Sequence, residues 1–369
     1  MRTLRVSLKE RSYEILVGEG LLSHVGGLIR SLRLKQTKVL LVTQTELLSY
    51  GRNVVLPSLL KEKLESSFFV VPPGKSSEQA KSWSVVSKLV RAMAAEEGRN
   101  HALFLAALGG GVIGDLTGFT ASIYRRGVPY VQIPTTLTAQ VDSAIGGKTA
   151  IDLPEAKNLL GTIFQPSLVL SDISVLESLP DRHWSDGFAE VIKYGVIQDP
   201  SLFLLLEKSG LGRMRRDGGL LEKVVCDCAR IKAKIVEVDE WDKKGKRAIL
   251  NFGHTVGHAI EAASGYTRRY THGEAVAVGM LAACDMALQL GILKEKNLRE
   301  RLERTLLRYG LPVFYKGLEE EPLLKAMGYD KKMEGGKNRF VLPVSLGKVV
   351  VTKDVPLSVI REALRKRRA

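Results

Sequence analysis

Apolar residues in the first half of the chain come in short runs separated by amphipathic stretches. KVLLVT (38–43), SSFFVVP (66–72), HALFLAAL (101–108), YVQIPTT (130–136) and SLVLSD (167–172) have the length and near-continuous hydrophobicity of buried strands. Between two of them, SWSVVSKLVRAMAAEEG (82–98) is apolar at helical spacing and ends in Gly98. Strand and helix in alternation predict a mostly parallel sheet with helices on its faces. After about residue 176 the period becomes that of helices: RHWSDGFAEVIKYGVI, LLEKVVCDCARIKAKIVEVDE, HTVGHAIEAA, EAVAVGMLAACDMALQLG and LRERLERTLLRYG. A late pair, RFVLPVS and GKVVVTK around Leu346–Gly347, predicts a hairpin. LGRMRRDGGL and DEWDKKGKR are charged or glycine-rich and read as surface loops. The expected architecture is an N-terminal α/β domain over 1–176 and a mainly α-helical domain over 177–369, with the site in the cleft between them.

Composition narrows the class. A chain of 369 residues, 45% hydrophobic, is long enough for two domains and a large core. No apolar run reaches bilayer length, and the start MRTLRVSLKERSYEI lacks a signal-peptide core, so no membrane partner and a cytoplasmic location are expected. Cys226, Cys228 and Cys284 are an odd number with no second C-x-C pair, which argues for buried thiols over a disulfide framework or a zinc cluster. The formal charge of +15 is spread along the chain, aromatics are 6%, and no basic–aromatic strip occurs. A small, highly anionic substrate fits that balance better than nucleic acid.

Two motifs carry chemistry. Gly109-x-Gly111-x-x-Gly114 follows an apolar strand and opens a helix, the setting in which glycines let backbone approach a pyrophosphate at a helix N-terminus. It lies far from the first βα unit and lacks a terminal acid at the usual spacing, so a helix-packing glycine turn is the alternative. GGKT (146–149) fails the P-loop pattern because Asp142 stands where glycine is required; Lys148 reads instead as a cation in a glycine-rich turn.

The second motif is a histidine cluster. Of six histidines, His254, His258 and His272 fall within 19 residues, and DGFAEVIKYG upstream supplies Glu190. Two imidazoles and a carboxylate suit a catalytic divalent ion with a position left open. His254 and His258, at i and i+4, share a helix face, so spacing nominates both, with Glu190, Glu274 or His272 completing the set. Glu190, Lys193 and Tyr194 form one polar stripe, which an intrahelical Glu–Lys pair would also explain.

ALGGGVIGDLTGF, RGVPYVQIPTTLTAQVDSAIGGKTAID, KNLLGTIFQP, GFAEVIKYG, LNFGHTVGHAIEA and HGEAVAVGM occur in the order and with the wording of the 3-dehydroquinate synthases, a family of sugar-phosphate cyclases. The resemblance covers about residues 36 to 345. It implies a Rossmann-like N-terminal domain, a helical C-terminal domain and a homodimer. It also implies the second step of the shikimate pathway, leading to aromatic amino acids: 3-deoxy-D-arabino-heptulosonate 7-phosphate becomes 3-dehydroquinate and phosphate. NAD would oxidise the C5 alcohol transiently, phosphate would leave by elimination, the hydride would return, and an intramolecular aldol would close the ring.

By position, the resemblance makes Glu190, His254 and His272 the ligands of Zn²⁺ or Co²⁺ and moves His258 to a proton path. It assigns Lys148, Asn158 and His258 to the phosphate, with Arg126 reaching in from a partner subunit. Lys232, Arg247 and Asn251 match residues on the substrate carboxylate and ring hydroxyls, and Asp142 and Lys193 match hydroxyl contacts. One lysine of the late basic group Lys331, Lys332 and Lys337 is a further substrate contact, Lys332 and Lys337 being equal choices. For NAD it implies Gly110, Gly111, Val112 and Asp115 at the pyrophosphate turn, Thr135 and Thr136 by the nicotinamide, and Glu78 and Lys81 by the adenosine. The chain departs from the family at Gln44, where Asp usually meets the adenosine ribose; a neutral partner there predicts a looser hold on NAD and a weaker bias against NADP. Two rivals remain: a related cyclase acting on sedoheptulose 7-phosphate or glucose 6-phosphate, which would not need the carboxylate group, and a metal-dependent polyol dehydrogenase, which would release NADH.

Overall fold

All five apolar runs of the first half become strands of one sheet. The computed structural model describes residues 1–72, 78–97, 102–153, 157–265, 269–328 and 339–369. Gly98, Lys331, Lys332 and Lys337 lie outside them. The chain divides into two compact units: Met1–Leu179 with Leu221–Trp241, and Pro180–Leu220 with Asp242–Ala369.

The first unit runs β1 (Arg2–Val6), β2 (Tyr13–Gly18), α1 (Val25–Ser31), β3 (Lys38–Thr43), α2 (Thr45–Tyr50), α3 (Leu56–Lys61) and β4 (Glu65–Val70). It continues with α4 (Trp83–Glu97), β5 (Leu103–Gly109), α5 (Gly111–Ile123), β6 (Tyr130–Pro134), β7 (Lys148–Ile151), β8 (Leu160–Ile163) and β9 (Leu168–Asp172). The sheet order is β1-β2-β9-β6-β5-β3-β4, parallel throughout except for β1 against β2. Alternation along the strands explains the unbroken apolar runs. Leu40, Val42, Leu103, Leu105 and Ala107 pack against Val85, Val86, Leu89 and Met93 of α4 and Ile113, Leu116 and Phe119 of α5. The opposite parity faces the other side, where a Cβ on Gly51 would stand 2.9 Å from Phe68 and 3.2 Å from Leu108. Burying each such large apolar side chain is worth about 1.5–3 kcal/mol.

Counted from β3, the five parallel strands stand in the order 2-1-3-4-5, so the winding reverses between β3 and β5. Open α/β sheets bind ligands beyond the strand ends at such a reversal. Thr43 Oγ1 donates to Leu108 O at 2.9 Å there, tying the two strand ends together. Two pairings have no counterpart in the hydrophobic pattern. β1, with the sequence RTLRV, is mostly exposed and carries two arginines. β7 and β8 are four-residue strands paired with each other outside the main sheet.

The second unit is helical: α6 (Asp181–Ile197), α7 (Pro200–Ser209), α8 (Leu211–Arg216) and, after α9 (Gly218–Val238), α10 (His254–Ala263) and α11 (His272–Gln289). α12 (Leu298–Arg308), α13 (Glu320–Ala326), the hairpin β10 (Phe340–Ser345) and β11 (Lys348–Thr352), and α14 (Leu357–Lys366) complete it. The segment LGRMRRDGGL, expected as a loop, holds the six-residue helix α8. Its one apolar anchor, Met214, is fully buried, and one anchor is too little for a period to be seen. From Leu221 onward α9 belongs to the first unit. Arg2 Nε donates to Glu222 at 3.1 Å, the Ser7 amide to Glu237 at 2.6 Å, and Arg11 pairs with Glu240 at 2.8 Å. Helical period says that α9 is a helix, not which core it joins. Cys226, Cys228 and Cys284 form no disulfide and are buried, as expected. No helix of the described residues is long and apolar enough to cross a membrane.

Candidate active site

In the second unit, α6, α10 and the start of α11 bring Glu190, His254 and His272 together, one ligand atom from each lying within 4.8 Å of the others. Close helix contact makes this possible. Gly253, at φ +81°, precedes α10, and a Cβ on Gly279 of α11 would come 2.0 Å from the Gly253 carbonyl oxygen. The α11–α6 approach is as tight: the Gly273 amide donates to Asp186 Oδ1 at 2.5 Å, and a Cβ on Gly273 would stand 2.2 Å from Asp186 O. Glu190 lies one turn beyond Asp186 on α6. The glycines of GHTVGH and HGEAVAVG are therefore packing residues that set the spacing of the ligands.

Glu190 is fully buried, and neither of its oxygens has a hydrogen bond of ordinary geometry. The His254 and His272 Nε2 atoms stand 3.6 and 3.3 Å from its Oε1, and the Lys193 ammonium lies against Oε2. Burial alone would raise the Glu190 carboxyl, but Lys193 and the two histidines outweigh it and hold it well below the usual carboxylate range. Burial and the Lys193 ammonium push His254 down to about 3, which leaves a neutral imidazole. Its Nδ1 faces Phe252 O at 3.1 Å, so Nε2 carries the lone pair toward Glu190. A buried carboxylate and two imidazole nitrogens fit a divalent ion of the Zn²⁺ or Co²⁺ type.

The geometry separates the candidates that spacing left open. Glu274 is engaged elsewhere: Arg182 donates to it from Nε at 2.8 Å and from Nη2 at 2.7 Å, and its carboxylate accepts from the Thr271 amide at 2.9 Å in a capping box. His258 is exposed and stands outside the Glu190 group, its ring 5.3 Å from that of His254. Lys193 and Glu190 do form the intrahelical pair of the simpler reading, inside a group that also contains two histidines. Glu261, at i+7 from His254 on the same helix face, was not among the sequence candidates; its Oε2 lies 3.3 Å from His272 Nδ1. Arg247 is buried and Asn251 exposed in the short helix Lys246–Asn251 just before α10. A pocket of about 410 Å³ lined by Asn251, Lys243, Lys244, Asp242 and Arg339 lies beside it. Arg339, the first residue of RFVLPVS, was also missed, because a cation at a strand start carries no pattern.

In the first unit, Gly110 caps α5 without a side-chain hydrogen bond, at the end of β5 where the winding reverses. A Cβ on Gly110 would lie 3.1 Å from Thr136, and one on Gly111 2.9 Å from Ser143 Oγ. Gly114 is a packing glycine, its added Cβ meeting Gln132 at 2.7 Å. The Thr135 amide donates to Gly109 O at 3.0 Å, which puts Thr135 and Thr136 beside the turn, and Gln44 follows β3 across the reversal. Val112 sits in the first turn of α5. The uncapped backbone, the glycines and the reversal fit a dinucleotide pyrophosphate.

Lys81 organises the polar side of this half. Its Nζ donates to Asp115 Oδ2 at 2.8 Å and to Asn158 Oδ1, and lies 3.5 Å from Glu78. Burial pushes Asp115 up to about 6, against the pull of Lys81. Lys232 Nζ donates to Asp142 at both O, 2.7 Å, and Oδ1, 2.6 Å. Lys148 is exposed at the start of β7. Arg126 is not brought to the turn: it is exposed at the far end of α5, a helix about 20 Å long. Arg125 and Arg126 both have left-handed backbone, at φ +47° and +65°, and Glu97 holds the Arg125 guanidinium at 2.8 Å.

Residues 71–186 match the family described as 3-dehydroquinate synthase N-terminal, and residues 187–333 the one described as 3-dehydroquinate synthase C-terminal. A 3-dehydroquinate synthase of Symbiobacterium thermophilum is 45% identical, covering 98% of this chain and 100% of its own; that of Thermodesulfovibrio yellowstonii is 42% identical over 99% and 100%. Among solved structures, 2-epi-5-epi-valiolone synthase of Streptomyces hygroscopicus subsp. jinggangensis, with NAD⁺ and Zn²⁺ bound, superposes with a TM-score of 0.85 at 31% identity over 98% of each chain. A 2-deoxy-scyllo-inosose synthase complexed with carbaglucose-6-phosphate, NAD⁺ and Co²⁺ gives 0.86 at 25% identity over 99% and 100%. Sulfoacetaldehyde reductase of Bifidobacterium kashiwanohense, at 14% identity and 0.64, shares the fold alone. The chain belongs to the 3-dehydroquinate synthase family.

Proposed function

We propose that this protein converts 3-deoxy-D-arabino-heptulosonate 7-phosphate into 3-dehydroquinate and phosphate, with NAD and a divalent metal ion as cofactors. The observation that carries the reading is full-length identity of 45% to a 3-dehydroquinate synthase, together with a Glu190, His254 and His272 group of ligand geometry. The ion would supply Lewis-acid polarisation of substrate hydroxyl oxygens. NAD would supply a hydride acceptor that is restored within each turnover.

The chain's own residues have the remaining tasks. Lys148 and the Asn158 amide group donate charge-assisted and neutral hydrogen bonds to the phosphate; Asn158 Oδ1 already accepts from Lys81, which leaves its NH₂ as the group to donate. His258, exposed on α10 beside the ligand group, takes and returns protons as phosphate departs. Lys232 and Arg247 hold the substrate carboxylate, while Asn251, Asp142 and Lys193 bind hydroxyls. Gly110, Gly111, Val112 and Asp115 hold the pyrophosphate side of NAD, with Thr135, Thr136, Glu78, Lys81 and Gln44 around it. Arg126, on its strained turn remote from the glycine turn, acts in the partner subunit of a homodimer. A cytoplasmic enzyme without a nucleic-acid or membrane partner completes the reading.

The carboxylate separates this reading from the related cyclases. Offered the heptulosonate phosphate and sedoheptulose 7-phosphate in parallel, with catalytic NAD⁺ and Zn²⁺, the protein releases phosphate from the first and forms 3-dehydroquinate. Preferential turnover of sedoheptulose 7-phosphate would move the chain to another cyclase activity.

A further inference from the structure

His254 and His272 both turn Nε2 toward Glu190, and each ring has a second partner at Nδ1. For His254 that partner is a backbone carbonyl, Phe252 O at 3.1 Å. For His272 it is a carboxylate, Glu261 Oε2 at 3.3 Å. Glu261 and His254 lie on one face of α10, two turns apart, while His272 opens α11. α10 therefore supplies both one member of the ligand group and the group that faces the back of another. His272 is the less enclosed of the two imidazoles, its side chain 34% exposed against 11% for His254. An imidazole with that much freedom needs a fixed partner at Nδ1 to hold Nε2 in direction.

We propose that Glu261 is a positioning residue for the metal centre: it accepts the Nδ1–H of His272, fixes the ring's tautomer and rotation, and so presents Nε2 beside Glu190 and His254. A carboxylate behind a histidine ligand also makes that ligand more basic, and losing such a partner commonly costs 10–100-fold in metal affinity. His258, Glu261 and His272 also cluster within ligand distance of one another. A second ion there would require the His272 imidazole to give up both ring protons, whereas a hydrogen bond at Nδ1 requires only the tautomer that Nε2 ligation already selects. The inference rests on the reading of Glu190, His254 and His272 as ligands.

The test uses the full-length protein stripped of metal, titrated with Zn²⁺ against a chelating dye and separately with Co²⁺, whose visible absorption reports the geometry of its ligands. Glu261→Ala is expected to weaken Zn²⁺ about 10–100-fold and shift the Co²⁺ bands, with stoichiometry staying at one ion per chain. Glu261→Gln, which keeps a neutral acceptor, should recover part of the affinity, and it replaces the alanine variant as the test if that variant melts at assay temperature. Wild-type affinity and spectrum in the Glu261 variant would overturn the proposal, as would two ions per wild-type chain with one lost on substitution. His272→Ala is the control for the underlying reading: if it too binds Zn²⁺ with wild-type affinity, the ligand assignment fails first.

Discussion

The two units of the chain offer candidate ligand surfaces made of different material. In the helical unit the chemistry sits on side chains, with Glu190 fully buried and two histidines aimed at it by helices that touch through glycine. In the α/β unit the candidate ligand surface is backbone, at an uncapped helix start where the winding reverses, and the charged groups beside it already pair with one another through Lys81. Glu190 is a buried carboxylate that Lys193 and the two histidines hold well below its usual range, so the charge balance of this half depends on the side chains gathered there. The glycine turn itself buries no charge, although Asp115 of α5 is pushed up to about 6 by burial.

The sharpest way to break this comparison is at the histidines. His254→Ala is expected to lose the metal and to lower kcat/KM by about a thousandfold or more, the loss of several kcal/mol of electrostatic stabilisation. His258→Ala should keep the metal, read by elemental analysis, and lose about 10²–10⁴-fold in turnover. Equal metal loss in both would erase the distinction that the structure draws between them.

Next in size are glycines taken from each half. Gly279→Ala puts a methyl group 2.0 Å from the Gly253 carbonyl and should destabilise the fold by about 1–3 kcal/mol, measured by denaturant unfolding, with metal affinity falling alongside. Gly110→Ala meets only Thr136 at 3.1 Å and should leave stability nearly unchanged while weakening NAD binding in calorimetry. The same response from both would mean that the halves are not built differently.

Arg247→Ala should cost about 1.5–3 kcal/mol, ten- to a hundredfold in kcat/KM, for the carboxylate substrate. An unchanged value would remove Arg247 from the carboxylate. Smallest is the cap of α11. Desolvation opposes ionisation of Glu274, but Arg182 and the Thr271 amide prevail and hold it below its usual value. A depressed carboxyl stabilises fully above its unfolded-state value, about 4.3, and loses that contribution as the pH falls toward its folded value. Glu274→Gln should therefore cost about 1–2 kcal/mol at neutral pH, and the gap to wild type should narrow in acid below about pH 4.3. A gap independent of pH would show that the charge plays no part.

Where the pattern was dense, the fold could be read in advance. β3 coincides with KVLLVT and α10 with HTVGHAIEAA, because buried strands and amphipathic helices write their period into the chain. β1, β7 and α8 escaped because each buries too little to show a period. α9 was seen as a helix, but the attachment of it and the residues just after it through Glu222, Glu237 and Glu240 is a matter of tertiary ion pairs and a hydrogen bond that spacing does not encode. At the site, helical spacing put His254 and His258 on one face but could not say which one looked at Glu190; that depends on the α6 and α11 crossings set by Gly273 and Gly279. Glu261 was invisible for the same reason, since its partner lies on another helix.

The central claim is that oxidation and reduction cancel within one turnover of a phosphate-eliminating cyclase. The direct measurement follows phosphate and NADH together, with the heptulosonate phosphate in large excess over NAD⁺. The account predicts many equivalents of phosphate per NAD⁺, 3-dehydroquinate equal to phosphate, and no steady rise in NADH absorbance. NADH growing in step with substrate consumed, without phosphate, would contradict it and identify a polyol dehydrogenase on the same fold.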